Sequence, residues 1–171
     1  MDLKIIINVI KEVWPMLLIF STVLITLKIS DRIINKKKLN YFKELIDLIF
    51  FTYIFMLFYV VTFQDVDWST YNITLFKEIF RYETGSELFF KNIAGNIIMF
   101  IPYGLYVSYH LNLKKARVII FLALILSVTI ETTQFYIGRV FDVDDILLNV
   151  IGALIGYFMY RIIALPFRRK K

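Results

Sequence analysis

The chain has 171 residues, 59% of them hydrophobic, with a formal charge of +6 and a mean hydropathy of +0.69. This length allows one domain, residues 1–171, and leaves no room for a separate soluble catalytic domain. The apolar share exceeds that of a typical soluble domain, and the absence of cysteine excludes disulfides and thiolate metal sites.

Residues Leu3–Val13 come first. Lys4, Asn8, Lys11 and Glu12 recur at helical spacing among isoleucines and valines, which predicts a short amphipathic helix at a membrane interface or, alternatively, a prolongation of the first apolar helix kinked at Pro15. No secretory signal stands out, because Asp2 and Glu12 offset Lys4 and Lys11 and no small-residue cleavage site follows. Five apolar segments then run over about Val13–Ile29, Leu45–Phe63, Ile93–Leu111, Ala116–Phe135 and Ile146–Ile163. Crossing a hydrocarbon core takes roughly 20 apolar residues. Open strands cannot span lipid, so the segments are expected to be helices. The predicted fold is all-α, a polytopic membrane helix bundle with about five transmembrane helices.

Basic residues cluster on alternate connections. Lys28, Arg32, Lys36, Lys37, Lys38 and Lys43 surround the first, Lys114, Lys115 and Arg117 the third, and Arg168–Lys171 form the tail. The positive-inside rule then predicts a multi-pass protein of the cytoplasmic membrane, with its N-terminus outside and its C-terminus cytoplasmic. Such charges flank apolar spans and form no groove-reading surface, so no nucleic-acid partner is expected. Membrane lipids are the expected surroundings. The second connection, Gln64–Lys91, is the one long external segment. Trp68 and Tyr71 suit the headgroup level, and Phe76–Tyr82 is apolar enough for a short lid-like helix, though a plain loop re-entering at the interface is the simpler expectation.

Polar residues converge on the outer layer from three helices. Asn92 and Asn96 lie four apart at the start of the third, ahead of Pro102, whose kink should be buried in the bundle. Ser127, Glu131 and Gln134 share a face of the fourth. Gly138-Arg139-Val140-Phe141-Asp142-Val143-Asp144-Asp145 leads into the fifth, which continues with Asn149, Gly152 and Gly156. One of Asp144 and Asp145 is expected to cap that helix, and the glycine pair to face protein rather than lipid. A Glu131–Arg139 pair could simply fasten the fourth loop. Ionisable groups at membrane depth are costly, which makes the layer a candidate site. His110 falls at the opposite, cytoplasmic end of the third helix, the wrong side for a role there.

The run Asn92-x-x-Gly95-Asn96-x-x-x-Phe100-x-Pro102-x-Gly104 resembles the third-helix signature of the VanZ-like family. Ser127-x-x-x-Glu131-x-x-Gln134 and Gly138-Arg139-x-x-Asp142-x-Asp144-Asp145-x-x-x-Asn149-x-x-Gly152-x-x-x-Gly156 resemble its C-terminal half, so the motif-bearing core is 92–160. The resemblance implies a bacterial cell-envelope membrane protein, in a family whose name member is linked to teicoplanin (glycopeptide) resistance. Three functions follow as expectations. The first is binding of a lipid-linked cell-wall precursor or lipoglycopeptide by Asn92, Asn96, Glu131, Gln134, Arg139, Asp142, Asp144, Asp145 and Asn149. The second is a metal-dependent enzyme acting on polyprenyl or other lipid phosphates, with Glu131, Asp142 and Asp145 as catalytic candidates and as ligands of a divalent cation. The third is a lipid transporter or flippase with Glu131 as a protonatable relay.

Overall fold

The protein is described from a computed structural model, and the structure describes residues 18–30, 34, 40–62, 71–77, 79–81, 83 and 85–168. The expected N-terminal amphipathic helix lies outside them. The chain divides into two compact units, Met1–Val60 and Val61–Lys171. Five helices carry the fold: α1 (Leu18–Ser30), α2 (Tyr41–Thr62), α3 (Glu87–His110), α4 (Ala116–Tyr136) and α5 (Val143–Arg168). Among the described residues, α3, α4 and α5 are long and apolar enough to cross a membrane, while α1 is a shorter apolar helix.

In the first unit, α2 begins four residues ahead of the apolar segment read from the sequence. Asn40 explains this: its side-chain oxygen accepts from the Lys43 N–H at 3.2 Å, and its carbonyl accepts from the Glu44 N–H at 3.0 Å. That is an N-cap, with Glu44 placed favourably in the first turn. Phe20 of α1 stacks on Phe55 of α2 at 4.9 Å between ring centroids. Thr22 and Thr26 donate to the carbonyls one turn earlier, so their hydroxyls need no partner in an apolar setting.

Lys28 crosses from α1 to α2 and bridges Glu44 at 2.7 Å and Asp47 at 2.6 Å. Its ammonium is therefore committed to two carboxylates as well as to the basic rim. Lys28→Met would leave two acids facing each other. The expected loss is about 2 kcal/mol, below that of a fully buried broken pair, because the lysine side chain keeps 26% of its exposure. Chemical unfolding in detergent measures it. Adding Glu44→Gln and Asp47→Asn should recover most of the loss, and equal instability of the single and triple variants would refute the coupling.

In the second unit, α5 is central and packs closely along α3 and, less extensively, along α4. The core joins Phe100 of α3, Ile119 and Ala123 of α4, Ala153 and Tyr157 of α5, and Leu113 of the connection. Small residues set the α3–α5 distance. A Cβ at Gly104 would lie 2.0 Å from the Ala153 oxygen, one at Gly152 2.1 Å from the Ile97 oxygen, and one at Gly156 2.2 Å from the Ile101 oxygen. The glycine stripe thus faces protein, as the spacing implied. The Pro102 side of α3 does not: Ile98 and Pro102 are exposed, and the buried face is Phe100, Gly104 and Ser108. The expected burial of the kink is corrected, because the glycines rather than the proline choose which face meets α5.

Two helix ends close by the same device. After α3, Asn112 takes φ 49°, its N–H donates to the Tyr109 oxygen, and the Leu113 N–H donates to the Ser108 oxygen. After α4, Gly138 takes φ 88°, its N–H donates to the Phe135 oxygen, and the Arg139 N–H donates to the Gln134 oxygen. Both are Schellman turns, and Asn and Gly are the residues that tolerate the left-handed position. At the α3–α4 end, Tyr157 and Arg161 both donate to the Lys114 carbonyl, and His110 stacks on Tyr106 at 5.5 Å. The acids lie at the other end of the three helices.

Residues 71–77 and 79–81 hold turns, with no short helix over the described part of Phe76–Tyr82, and one unforeseen feature. Two short strands, β1 (Tyr71–Asn72) and β2 (Phe141–Asp142), pair in parallel with Tyr71 opposite Phe141 and Asn72 opposite Asp142.

Candidate functional site

The buried stripe of α4 runs Ile119, Ala123, Ser127, Glu131, Gln134, so one helix face passes from apolar to polar toward its C-terminus. Glu131 is 2% exposed. Its Oε2 accepts from the Asp142 N–H at 2.9 Å. With the Gln134 amide oriented to satisfy its neighbours, its nitrogen donates to Glu131 Oε1 at 2.8 Å and its oxygen accepts from Arg139 Nη1 at 2.9 Å. A directed chain results, in which Arg139 donates to Gln134, Gln134 donates to Glu131, and the same carboxylate holds the end of β2. Gln134 bridges the guanidinium and the carboxylate, so Glu131 and Arg139 are joined through a third residue. The Schellman turn at Gly138 aims Arg139 back over α4 by fixing its backbone N–H on the Gln134 carbonyl.

Asp142, rather than Asp144 or Asp145, caps α5. Its Oδ1 accepts from the Asp144 N–H at 2.8 Å and from Asn72 Nδ2 at 3.1 Å. The reason is the strand pairing: with Asp142 held extended against Asn72, the helix can begin at Val143. Asp144 and Asp145 then sit in the first turn, where carboxylates are favoured. They point different ways. Asp144, 0% exposed, accepts from the Phe76 and Ile79 N–H groups of segment 71–81. Asp145 accepts from Asn96 Nδ2 of α3.

Asp145 and Asn149 are one turn apart but serve different neighbours, since Asn149 Nδ2 donates to Ser127 Oγ of α4 at 2.8 Å. The Asn149 Oδ1 is buried with no hydrogen-bond partner among the described residues, a costly state for an acceptor. Asn92 lies half-buried one turn before Asn96, on a π-helical turn, Phe90–Ala94, inside α3.

Eight of the nine candidates therefore fall into hydrogen-bonded groups at one end of the bundle, and Asn92 lies one turn from Asn96. The largest group holds Arg139, Gln134, Glu131, Asp142 and Asp144, and it includes Asn72, which the sequence reading did not select. No local signal marks Asn72, because its partner is 70 residues away. Ser127 was on the expected face, but only the structure shows it receiving Asn149. Among the described residues, no three His, Cys, Asp or Glu group together as a metal site. Glu131, Asp142 and Asp145 each turn at least one oxygen onto an amide donor.

Chemically, the layer offers one forked cation on a preset bearing, side-chain amides, and carboxylates already engaged by N–H donors. No curated protein and no solved structure matches the chain. A family model for VanZ/LLP1 matches residues 14–164, which takes in α3, α4, most of α5 and the whole polar layer. The protein belongs to the VanZ-like family of membrane proteins.

Proposed function

We propose that this protein binds an anionic amphiphile of the bacterial envelope at the polar end of α3–α5, either a lipid-linked cell-wall precursor or a lipoglycopeptide such as teicoplanin. One observation carries the reading: the Arg139–Gln134–Glu131 relay, which spends a buried carboxylate and an amide on orienting a single guanidinium. Arginine suits phosphate and carboxylate because its fork is planar and permanently charged. Asn92 and Asn96, near the start of α3 where Asn96 meets Asp145, can bond sugar or headgroup oxygens. The apolar sides of the helices keep an acyl tail in lipid. In this reading the polar end faces outward from the cytoplasmic membrane, and the Lys114–Lys115–Arg117 turn faces the cytoplasm. The charge distribution along the chain supports that orientation.

The test is native mass spectrometry with envelope lipids and, separately, with teicoplanin. Arg139→Ala should remove the adduct while the helical circular-dichroism signal and the thermal midpoint hold. Arg139→Lys should recover only part of it, because an ammonium lacks the fork. Equal adducts in the wild type and Arg139→Ala would end the proposal.

A further inference from the structure

Segment 71–81 has the surface of a membrane element and the backbone of one. Tyr71, Ile73, Leu75, Phe76 and Phe80 all leave their side chains exposed, with Tyr71 at 71% and Phe80 at 82%. Exposed apolar groups this dense call for a partner. Five of its backbone N–H groups are engaged at the same time. The Thr74 N–H donates to Asn72 Oδ1, the Lys77 N–H to the Thr74 oxygen, and the Phe80 N–H to the Phe76 oxygen. The Phe76 and Ile79 N–H groups go to the buried Asp144 carboxylate. A loop in water can leave such donors to solvent. Non-helical backbone at membrane depth must satisfy them internally.

The position fits too. The segment is bonded to Asp142 and Asp144, at the start of α5, and Phe135, Tyr136 and Ile137 at the end of α4 are exposed as well. That is where a helix long enough to span leaves the hydrocarbon. Lys77 is exposed there, and long basic side chains reach outward at such boundaries. Phe76 holds φ 68°, a conformation unfavourable for an aromatic residue, and the Asp144 oxygen on its N–H supports it.

We propose that segment 71–81 is an interfacial anchor. Its aromatic and aliphatic side chains lie in the headgroup–hydrocarbon boundary of the bilayer that α3–α5 cross, and Asp144 fastens it there. The partner is the lipid surface itself, and the anchor holds whether or not the polar layer binds an amphiphile.

The chain has no cysteine, so Phe80→Cys gives one attachment point for an environment-sensitive fluorophore. The full-length protein is placed in nanodiscs of phosphatidylcholine and phosphatidylglycerol. Lipids brominated near the carbonyl region should quench the label at least twofold. Aqueous iodide should quench it at least fivefold less than a label at Lys115→Cys, which sits exposed at the α3–α4 turn. Iodide quenching equal to that control would overturn the anchor. So would protection from both quenchers with cross-linking between copies, which would make a second chain the occupant. In Phe80→Cys combined with Asp144→Asn, the introduced amide meets N–H groups with an NH2, and iodide quenching should rise at least threefold. An unchanged value would overturn the role of Asp144. If that double variant does not fold, the single label still decides whether the segment meets lipid.

Discussion

Gly104→Ala is expected to destabilise the α3–α5 pair by about 3 kcal/mol or more, beyond the usual range for an added methyl. The added carbon would fall 2.0 Å from the Ala153 oxygen, 2.6 Å from its carbonyl carbon and 2.7 Å from its Cα. All three are backbone atoms, so no side chain can swing aside and the helices must separate. Separation loses the close packing that holds helices together where lipid offers no hydrophobic contrast. Gly95→Ala in the same helix is the control. There the nearest atom is the Phe90 oxygen at 3.9 Å, and φ is helical. Alanine at that position should be neutral or stabilising by roughly 0.5–1 kcal/mol. Unfolding in mixed micelles checks both, and equal effects of the two substitutions would show that backbone contact does not set the α3–α5 distance.

The second large effect is at Glu131, and two substitutions there should separate stability from orientation. Glu131→Leu leaves the Asp142 N–H and the Gln134 amide without their acceptor in a buried site. At about 1–3 kcal/mol for each stranded donor, a loss of roughly 3–5 kcal/mol is expected. Glu131→Gln behaves differently. The new amide can still accept from Asp142 through its oxygen, but it presents an NH2 to Gln134. Gln134 can rotate to accept that bond, and it then turns its own NH2 toward Arg139. Folding should survive with a loss of about 1 kcal/mol, while the guanidinium loses its acceptor and amphiphile adducts fall along with those of Arg139→Ala. A Glu131→Gln protein that binds like the wild type would detach the relay from ligand recognition.

These two sites also show what the sequence could and could not disclose. The Gly152–Gly156 spacing was legible, since small residues four apart in an apolar run mean close helix approach, whereas the contact at Gly104 was not. The stripe from Ser127 through Glu131 to Gln134 was legible too, because helical periodicity alone puts it on one face. The turn at Gly138 was not read from the sequence, although a glycine just past an apolar helix is a common signal for one. What stayed hidden depends on pairing between distant segments. Asp142 became the α5 cap because Asn72 holds it extended, and nothing near Asp142 announces Asn72. Asp144 looked like a capping acid and instead receives amides from Phe76 and Ile79, whose own sequence reads as an ordinary loop. Pro102 misled for a related reason: a proline marks where a helix loses a bond but not which side meets a neighbour.

The pairing of Asn72 with Asp142 also orders events during biosynthesis. Ribosomes add roughly 5–20 residues per second, and 70 residues separate the two partners. Segment 71–81 therefore emerges several seconds before the acids that receive its amides. Throughout that interval its donors lack Asp142 and Asp144, and Glu131 lacks the Asp142 N–H. The nascent protein can insert α3 and α4 but cannot finish the polar layer until the last helix arrives. A ribosome-stalled chain ending before Asp142 should be inserted yet open to protease at 71–81, and release of the full chain should close it.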